Sequence, residues 1–281
     1  MEVLRTILEM RERINACKVE GKSIGLVPTM GFLHEGHLSL IRRCREENDI
    51  CVVSIFVNPK QFAQGDDFNS YPKDACGDFA ACEQAGVDII FYPDVDDMYQ
   101  NHKTYINVEG LSQQLCGKSR PTHFQGVCTV VAKLFNISKA DAAYFGEKDA
   151  QQLTVLKKMV EDLNFDIRIV ACPTVRESDG LAKSSRNKYL SAEERLKADC
   201  LYRALHKAET MCEFGAGSTA IIAEMTKIIE ENPEARIDYI QIVDTVNLQP
   251  VEEIREDILI ALAVELSGAR LIDNITVKIK P

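Results

Sequence analysis

A chain of 281 residues with a hydrophobic fraction of 46% has ample material for one large or two modest cores. Its formal net charge of −10 argues against nucleic acid as the main partner, because phosphate contacts need a basic face. No stretch approaches the ~18 uninterrupted apolar residues of a membrane helix, and the opening "MEVLRTILEMRER" lacks the basic-then-apolar layout of a signal peptide. A cytoplasmic setting with no membrane partner is therefore expected.

In chain order, "KSIGLVPT" predicts a short buried strand and "GHLSLIRRCREEN" a helix. "ICVVSIFVN" is a continuously apolar, β-branched run of the kind buried on both faces of a sheet. "KDACGDFAACEQAG" predicts a helix stopped by Gly86, and "VDIIFYP" a strand closed by Pro93. "TYINVE" predicts a further strand. A helix over "HFQGVCTVVAKLFNIS", a strand at "DAAYFG", a helix over "DAQQLTVLKKMVEDLN" and a strand at "FDIRIVACP" complete an alternating series. Alternation of this kind predicts a Rossmann-like α/β domain, a doubly wound parallel sheet with helices on both faces, over residues 1–175.

The pattern then changes. Residues 176–190 are polar and predict an exposed loop. "AEERLKADCLYRALHKAETMCE" and "STAIIAEMTKIIEENP" predict two helices parted by "FGAG", followed by strands at "ARIDYIQIVDTVNL", "EDILIALAVEL" and "ARLIDNITVKI". Helices first and neighbouring strands after them predict a smaller α+β domain over 176–281.

The ten cysteines are scattered with no C-x-x-C spacing, so zinc has no evident cage and most are expected to be small, reduced, buried hydrophobes. Against the acidic background two basic clusters stand out, "CGKSRPTH" at 116–123 and "RESDGLAKSSRNK" at 176–188.

The stretch "PTMGFLHEGH" follows a predicted strand and opens a predicted helix, where free N–H groups and a partial positive charge attract phosphates. His34 and His37 fall near one face of that first turn, and Gly36 between them lets a flat ring approach the backbone. A zinc peptidase site needs histidines four apart; here they are three apart. The stretch by itself leaves open a phosphate site or a helix start with two surface histidines. Other polar groups follow other strands: Asn58 and Gln61 in "SIFVNPKQF", and Gly146, Lys148, Asp149, Gln151 and Gln152 in "YFGEKDAQQL". "LAKSSRN" adds Lys183, Ser184, Ser185 and Arg186 on a predicted loop. Ligands of open α/β sheets sit at such carboxyl ends.

An H-x-G-H after a strand and a later K-S-S-like loop resemble the nucleotidyltransferase superfamily that includes class I aminoacyl-tRNA synthetases. The set "PTMGFLHEGH", "FVNPKQF", "RPTHFQGV", "FGEKDAQQ" and "GLAKSSRN", spread from Pro28 to Asn187, resembles the pantoate–β-alanine ligase family. The resemblance implies an ATP-dependent carbon–nitrogen ligase that activates pantoate as an adenylate, uses Mg²⁺ and forms a homodimer. It implies that Met30, Gly31, Phe32, Leu33, His34, Glu35, Gly36 and His37 wrap the nucleotide, with His34, His37 and Lys148 catalytic. Gly146, Glu147, Lys148, Asp149 and Val175 would complete the nucleotide site. Lys183, Ser184, Ser185 and Arg186 would close over the phosphates. Gln61 and Gln152 match a pantoate-binding pair, with Gln61 also reaching β-alanine. Arg120 and His123 are expected to support the phosphate site. No metal ligands follow from the resemblance. One departure is Lys183, where many family members carry methionine. The runner-up activity is AMP transfer to a phosphorylated small molecule with no amine acceptor, and a non-catalytic nucleotide-binding regulator is the third. A tRNA-charging role is disfavoured by the acidic balance.

Overall fold

The computed structural model describes residues 1–63, 68–266 and 268–279. Its backbone falls into two compact units: Met1–Ser112, Arg120–Glu147 and Gln152–Pro173 form the first, and Gln113–Ser119, Lys148–Gln151 and Thr174–Pro281 the second.

The first unit begins with strand β1 (Glu2–Leu4) and helix α1 (Ile7–Val19). Thr6 and Glu9 cap each other's main chain at the start of α1, a T-x-x-E signature that identifies this helix before the first expected strand. Next come β2 (Ile24–Thr29), α2 (Glu35–Glu47), β3 (Ile50–Ile55), α3 (Ala75–Gln84), β4 (Ile89–Phe91) and the short α4 (Val95–Tyr99). After the short α5 (Cys116–Ser119), which belongs to the second unit, come α6 (His123–Ser138), β5 (Ala142–Gly146), α7 (Ala150–Asp162), whose first two residues also belong to the second unit, and β6 (Arg168–Cys172). The sheet is parallel, in the order β1-β4-β3-β2-β5-β6. The chain moves outward from β2 on one side and from β5 on the other, so their carboxyl ends flank the point where strand order reverses.

Every residue of β3 is buried, as its apolar run predicts. One face of the sheet packs Val27, Val53, Ile90 and Tyr144 against Leu40, Ile41 and Cys44 of α2 and Cys82 of α3. Leu26, Val52, Ile89 and Ala143 alternate with them and are equally buried, so the sheet is covered on both sides. The segment "TYINVE" is not a strand. Only Val108 of it is buried, and the Ile106 N–H donates to Thr129 Oγ1 on α6 at 3.0 Å rather than to a neighbouring strand.

In the second unit, the expected helix over 192–213 is two helices, α8 (Ala192–Lys197) and α9 (Cys200–Glu213), parted by a turn that drives Ala198 wholly into the core. Helix α10 (Ser218–Glu230) follows. Strands β7 (Ala235–Asp244), β8 (Ile258–Leu266) and β9 (Ala269–Val277) form an antiparallel sheet. Leu201, Leu205, Ile221 and Met225 of the helices pack on Ile260, Leu262 and Val264 of β8. The loop expected at 176–190 is less exposed than its polarity suggests: Leu181, Ala182 and Ser185 are buried. Nine of the ten cysteines are buried and all are free; Cys76 alone is exposed.

Candidate active site

The turn from β2 into α2 is held from below. Thr29 Oγ1 donates to the Ser54 carbonyl at 2.8 Å and accepts from the Gly31 N–H at 3.2 Å. Gly31 (φ 82°) and Phe32 (φ 52°) then take left-handed conformations. Buried Asp78, on α3, accepts from the Phe32 and Leu33 N–H groups at 2.8 and 2.7 Å. A Cβ on Gly31 would stand 2.8 Å from Asp78 Oδ2, so the strap requires glycine there. Burial pushes the Asp78 carboxyl up, opposed by those two N–H donors. Sequence reasoning missed Asp78; its only signal is an acid directly followed by the apolar or small run Phe79–Cys82.

His34 is the N-cap of α2, and its Nδ1 accepts from the Gly36 N–H at 3.1 Å. His37 reaches back, its Nδ1 accepting from the His34 N–H at 3.3 Å. This is the reciprocal logic of a capping box, with imidazoles replacing hydroxyl and carboxylate, and it demands a spacing of three. A main-chain N–H can only donate, so each neutral ring has a bare Nδ1 and carries its proton on Nε2. The ring centroids are 4.0 Å apart, tilted by 35°. The turn therefore sets two Nε2–H donors side by side at a helix N-terminus, where anions are favoured. Glu35, the first helical residue, pairs with Arg42.

Gln61 ends a 3-10 turn, Pro59–Gln61, that follows β3. Buried Asn58 fixes it. Asn58 Nδ2 donates to Gln61 Oε1 (3.0 Å) and to the Gly126 carbonyl (3.1 Å), while its Oδ1 accepts from the Lys60 N–H (3.2 Å) and the Tyr99 hydroxyl (2.7 Å). Gln61 Nε2 points at Met30 Sδ, 3.1 Å away. Helix α6 lies so close that a Cβ on Gly126 would collide with the Lys60 carbonyl and the Gln61 nitrogen. His123 Nδ1 donates to the Gln61 carbonyl at 2.8 Å, and Arg120 Nη2 donates to the same oxygen at 3.4 Å. Two side chains of "RPTHFQGV" thus hold the main chain of Gln61, a contact its basic character did not signal. Tyr99, whose hydroxyl burial pushes up, was also missed.

At the end of β5, Gly146 and Glu147 belong to the first unit, and half-buried Gln152 stands in the first turn of α7. The second unit carries Lys148 and Asp149, with Lys148 Nζ 4.0 Å from Asp149 Oδ1. It also carries Val175, whose carbonyl accepts from the Lys183 N–H at 2.9 Å. Lys183 Nζ pairs with Glu177 Oε2 at 3.0 Å. Ser184 Oγ accepts from the Arg186 N–H at 3.2 Å and caps the 3-10 turn Ser185–Tyr189. Among the described residues no three His, Cys, Asp or Glu side chains cluster to hold a metal ion, and no helix is long and apolar enough to cross a membrane.

A sequence profile of the family described as pantoate-beta-alanine ligase matches residues 2–276. A pantothenate synthetase of Clostridium novyi (strain NT) is 53% identical over 278 residues, 98% of this chain and 98% of the relative. That of Moorella thermoacetica is 52% identical over 281 residues, 99% of each chain. The crystal structure of pantothenate synthetase from Thermus thermophilus superposes with a TM-score of 0.93 at 44% identity, covering 98% of this chain and 99% of that one. That of pantoate-beta-alanine ligase from Francisella tularensis, complexed with beta-gamma ATP and beta-alanine, gives 0.82 at 34% identity over 98% and 97%. A capped histidine pair at the strand-to-helix turn, a braced Gln61 and matches that run the length of the chain lead to one conclusion: this chain belongs to the pantoate-beta-alanine ligase family, ATP-dependent ligases that condense pantoate with β-alanine.

Proposed function

We propose that the reaction proceeds through a pantoyl adenylate, and that the two imidazoles of α2 stabilise the departing pyrophosphate. The pantoate carboxylate attacks the α-phosphorus of ATP. The bond from that phosphorus to the β-bridging oxygen breaks, and charge gathers on the pyrophosphate. The β-alanine amine then attacks the acyl carbon, losing a proton as the amide forms, and AMP leaves. The observation that carries this reading is the pair of main-chain N–H groups accepted by Nδ1 of His34 and of His37; it leaves both Nε2–H edges as donors at a helix N-terminus, the kind of group that stabilises developing negative charge.

Met30 to His37, Gly146 to Asp149, Val175 and Lys183 to Arg186 are assigned to ATP, with Lys148 on a phosphate. Gln61 and Gln152 are assigned to pantoate, and Gln61 also to β-alanine. Neutral amides suit a nucleophilic carboxylate, because a clamped cation would stabilise its ground state. Arg120 and His123 act through the Gln61 carbonyl they hold. Mg²⁺ is assigned to the nucleotide: phosphate oxygens and water satisfy this hard cation, and it would neutralise phosphate charge. Division of the chain at 175/176 into a nucleotide- and pantoate-binding domain and a smaller domain, a cytoplasmic setting consistent with ten free cysteines, and a homodimer complete the proposal. Light scattering tests the dimer.

The deciding experiment is exchange of labelled pyrophosphate into ATP. Exchange that needs pantoate but not β-alanine supports the adenylate. Absence of exchange, with AMP released only when both substrates are present, overturns it.

A further inference from the structure

The second unit contains a linkage that no nucleotide contact explains. Arg176 and Asp273 form a two-pronged ion pair, Nη1 to Oδ2 at 2.6 Å and Nη2 to Oδ1 at 3.0 Å. The Asp273 side chain is 1% exposed. The same guanidinium donates to the Gly180 carbonyl at 3.0 Å and lies over the Tyr202 ring, 5.0 Å from its centroid. Gly180 ends the tight hairpin that leads into Lys183–Arg186; its arms pair at Arg176 and Ala182, and the Glu177 N–H donates to the Leu181 carbonyl at 2.8 Å. On the other side, Asp273 Oδ1 accepts from the Asn274 N–H at 2.8 Å. Asn274 Nδ2 then donates to the Lys148 carbonyl, also at 2.8 Å.

A continuous path therefore runs from the Lys148 main chain through Asn274, Asp273 and Arg176 to the base of the Ser184–Arg186 turn. Both ends carry groups assigned above to ATP. A charge-assisted, forked pair fixes the relative geometry of its two partners as well as adding energy. A buried carboxylate whose every partner lies on this path is poorly explained by stability alone, since an apolar pair would serve as well.

We infer that Arg176, Asp273 and Asn274 are positioning residues for adenylation, holding Lys148 and the Ser184–Arg186 turn in register with each other. The inference rests on the adenylate reading. It predicts that losing the link harms the step in which both loops meet the triphosphate, and spares the attack of β-alanine on an adenylate already made.

The test uses the full chain, with Asn274→Ala as the main variant because it leaves no buried charge unpaired. Arg176→Lys is the second, keeping the charge but losing the fork. Two rates are measured in each: pantoate-dependent pyrophosphate exchange, and aminolysis of added pantoyl adenylate by β-alanine. Misplacement of a phosphate-binding group on this scale costs about tenfold to a hundredfold. The expected result is a loss of that size in exchange, mainly in kcat, with aminolysis and melting temperature close to wild type. Exchange within about twofold of wild type in both variants, or equal losses in both half-reactions, overturns the inference. Wild-type protein without pantoate-dependent exchange would overturn the adenylate reading and the inference together.

Discussion

The Nδ1 of His37 accepts the main-chain N–H of His34, and this one bond sets both the geometry of the helix start and the tautomer of the ring. Capping and the proposed phosphate contact would thus use opposite edges of the same imidazole. The two tasks separate on substitution. Asparagine is among the best N-caps, but with Oδ1 in the place of Nδ1 its amide nitrogen stands where the ring has Cδ2 and falls short of the Nε2 position. His34→Asn is expected to change stability by only about 0.5 kcal/mol and to lower pyrophosphate exchange by about 10²–10³. Thermal unfolding and exchange rates on one preparation check both halves. Exchange that survives in His34→Asn returns the residue to a purely structural cap.

Asn58 offers a second separable pair. Asn58→Asp keeps the oxygen that receives the Lys60 N–H and the Tyr99 hydroxyl, and removes only the donations to Gln61 Oε1 and the Gly126 carbonyl. Leaving those acceptors to face a carboxylate costs about 1–3 kcal/mol. The pantoate KM should rise by about tenfold, more than the ATP KM does. Equal changes in both Michaelis constants would mean that Asn58 supports the fold and not the placement of Gln61.

Lys183 engages Glu177 through its ammonium and Val175 through its main chain. A partly exposed pair of this kind contributes little, and the main-chain bond survives any side chain. Lys183→Met should leave the ATP KM within about twofold of wild type. A tenfold rise would instead assign the ammonium to a phosphate.

Acid sensitivity should centre on Glu47. Hydrogen bonds from Arg43 first, then from the Tyr144 hydroxyl and Arg168, pull its carboxyl from 4.5 down to about 2, against the opposing effect of burial. A carboxyl depressed in the folded state favours folding fully above its unfolded value, and the contribution is lost as pH falls from 4.5 towards 2. Glu47→Gln should flatten the fall in denaturation midpoint between about pH 5 and about pH 3. An unchanged slope would place the acid sensitivity elsewhere.

Periodicity made the parallel sheet readable, because strands such as "ICVVSIFVN" are buried on both faces and carry no polar alternation to confuse them. The spacing of His34 and His37 was legible as a motif, but its cause, a reciprocal cap, needed the backbone. Partner choice across long stretches of chain was not legible. "RPTHFQGV" advertises positive charge, yet Arg120 and His123 spend hydrogen bonds on a carbonyl some 60 residues earlier. Asp78 escaped notice because a helix with a weak apolar face gives no hint that one acid points inward. "TYINVE" misled in the opposite direction: its β-forming residues meet a helix hydroxyl where a strand was expected.

The burial of nine cysteines leaves the native protein with a single accessible thiol. Cys76 stands two positions before Asp78 on α3, the helix that straps the β2–α2 turn. The wild-type chain thus comes with its own attachment point for a fluorophore or spin label, beside the element that steadies the histidine pair, and needs no engineered cysteine to report on that turn as nucleotide arrives.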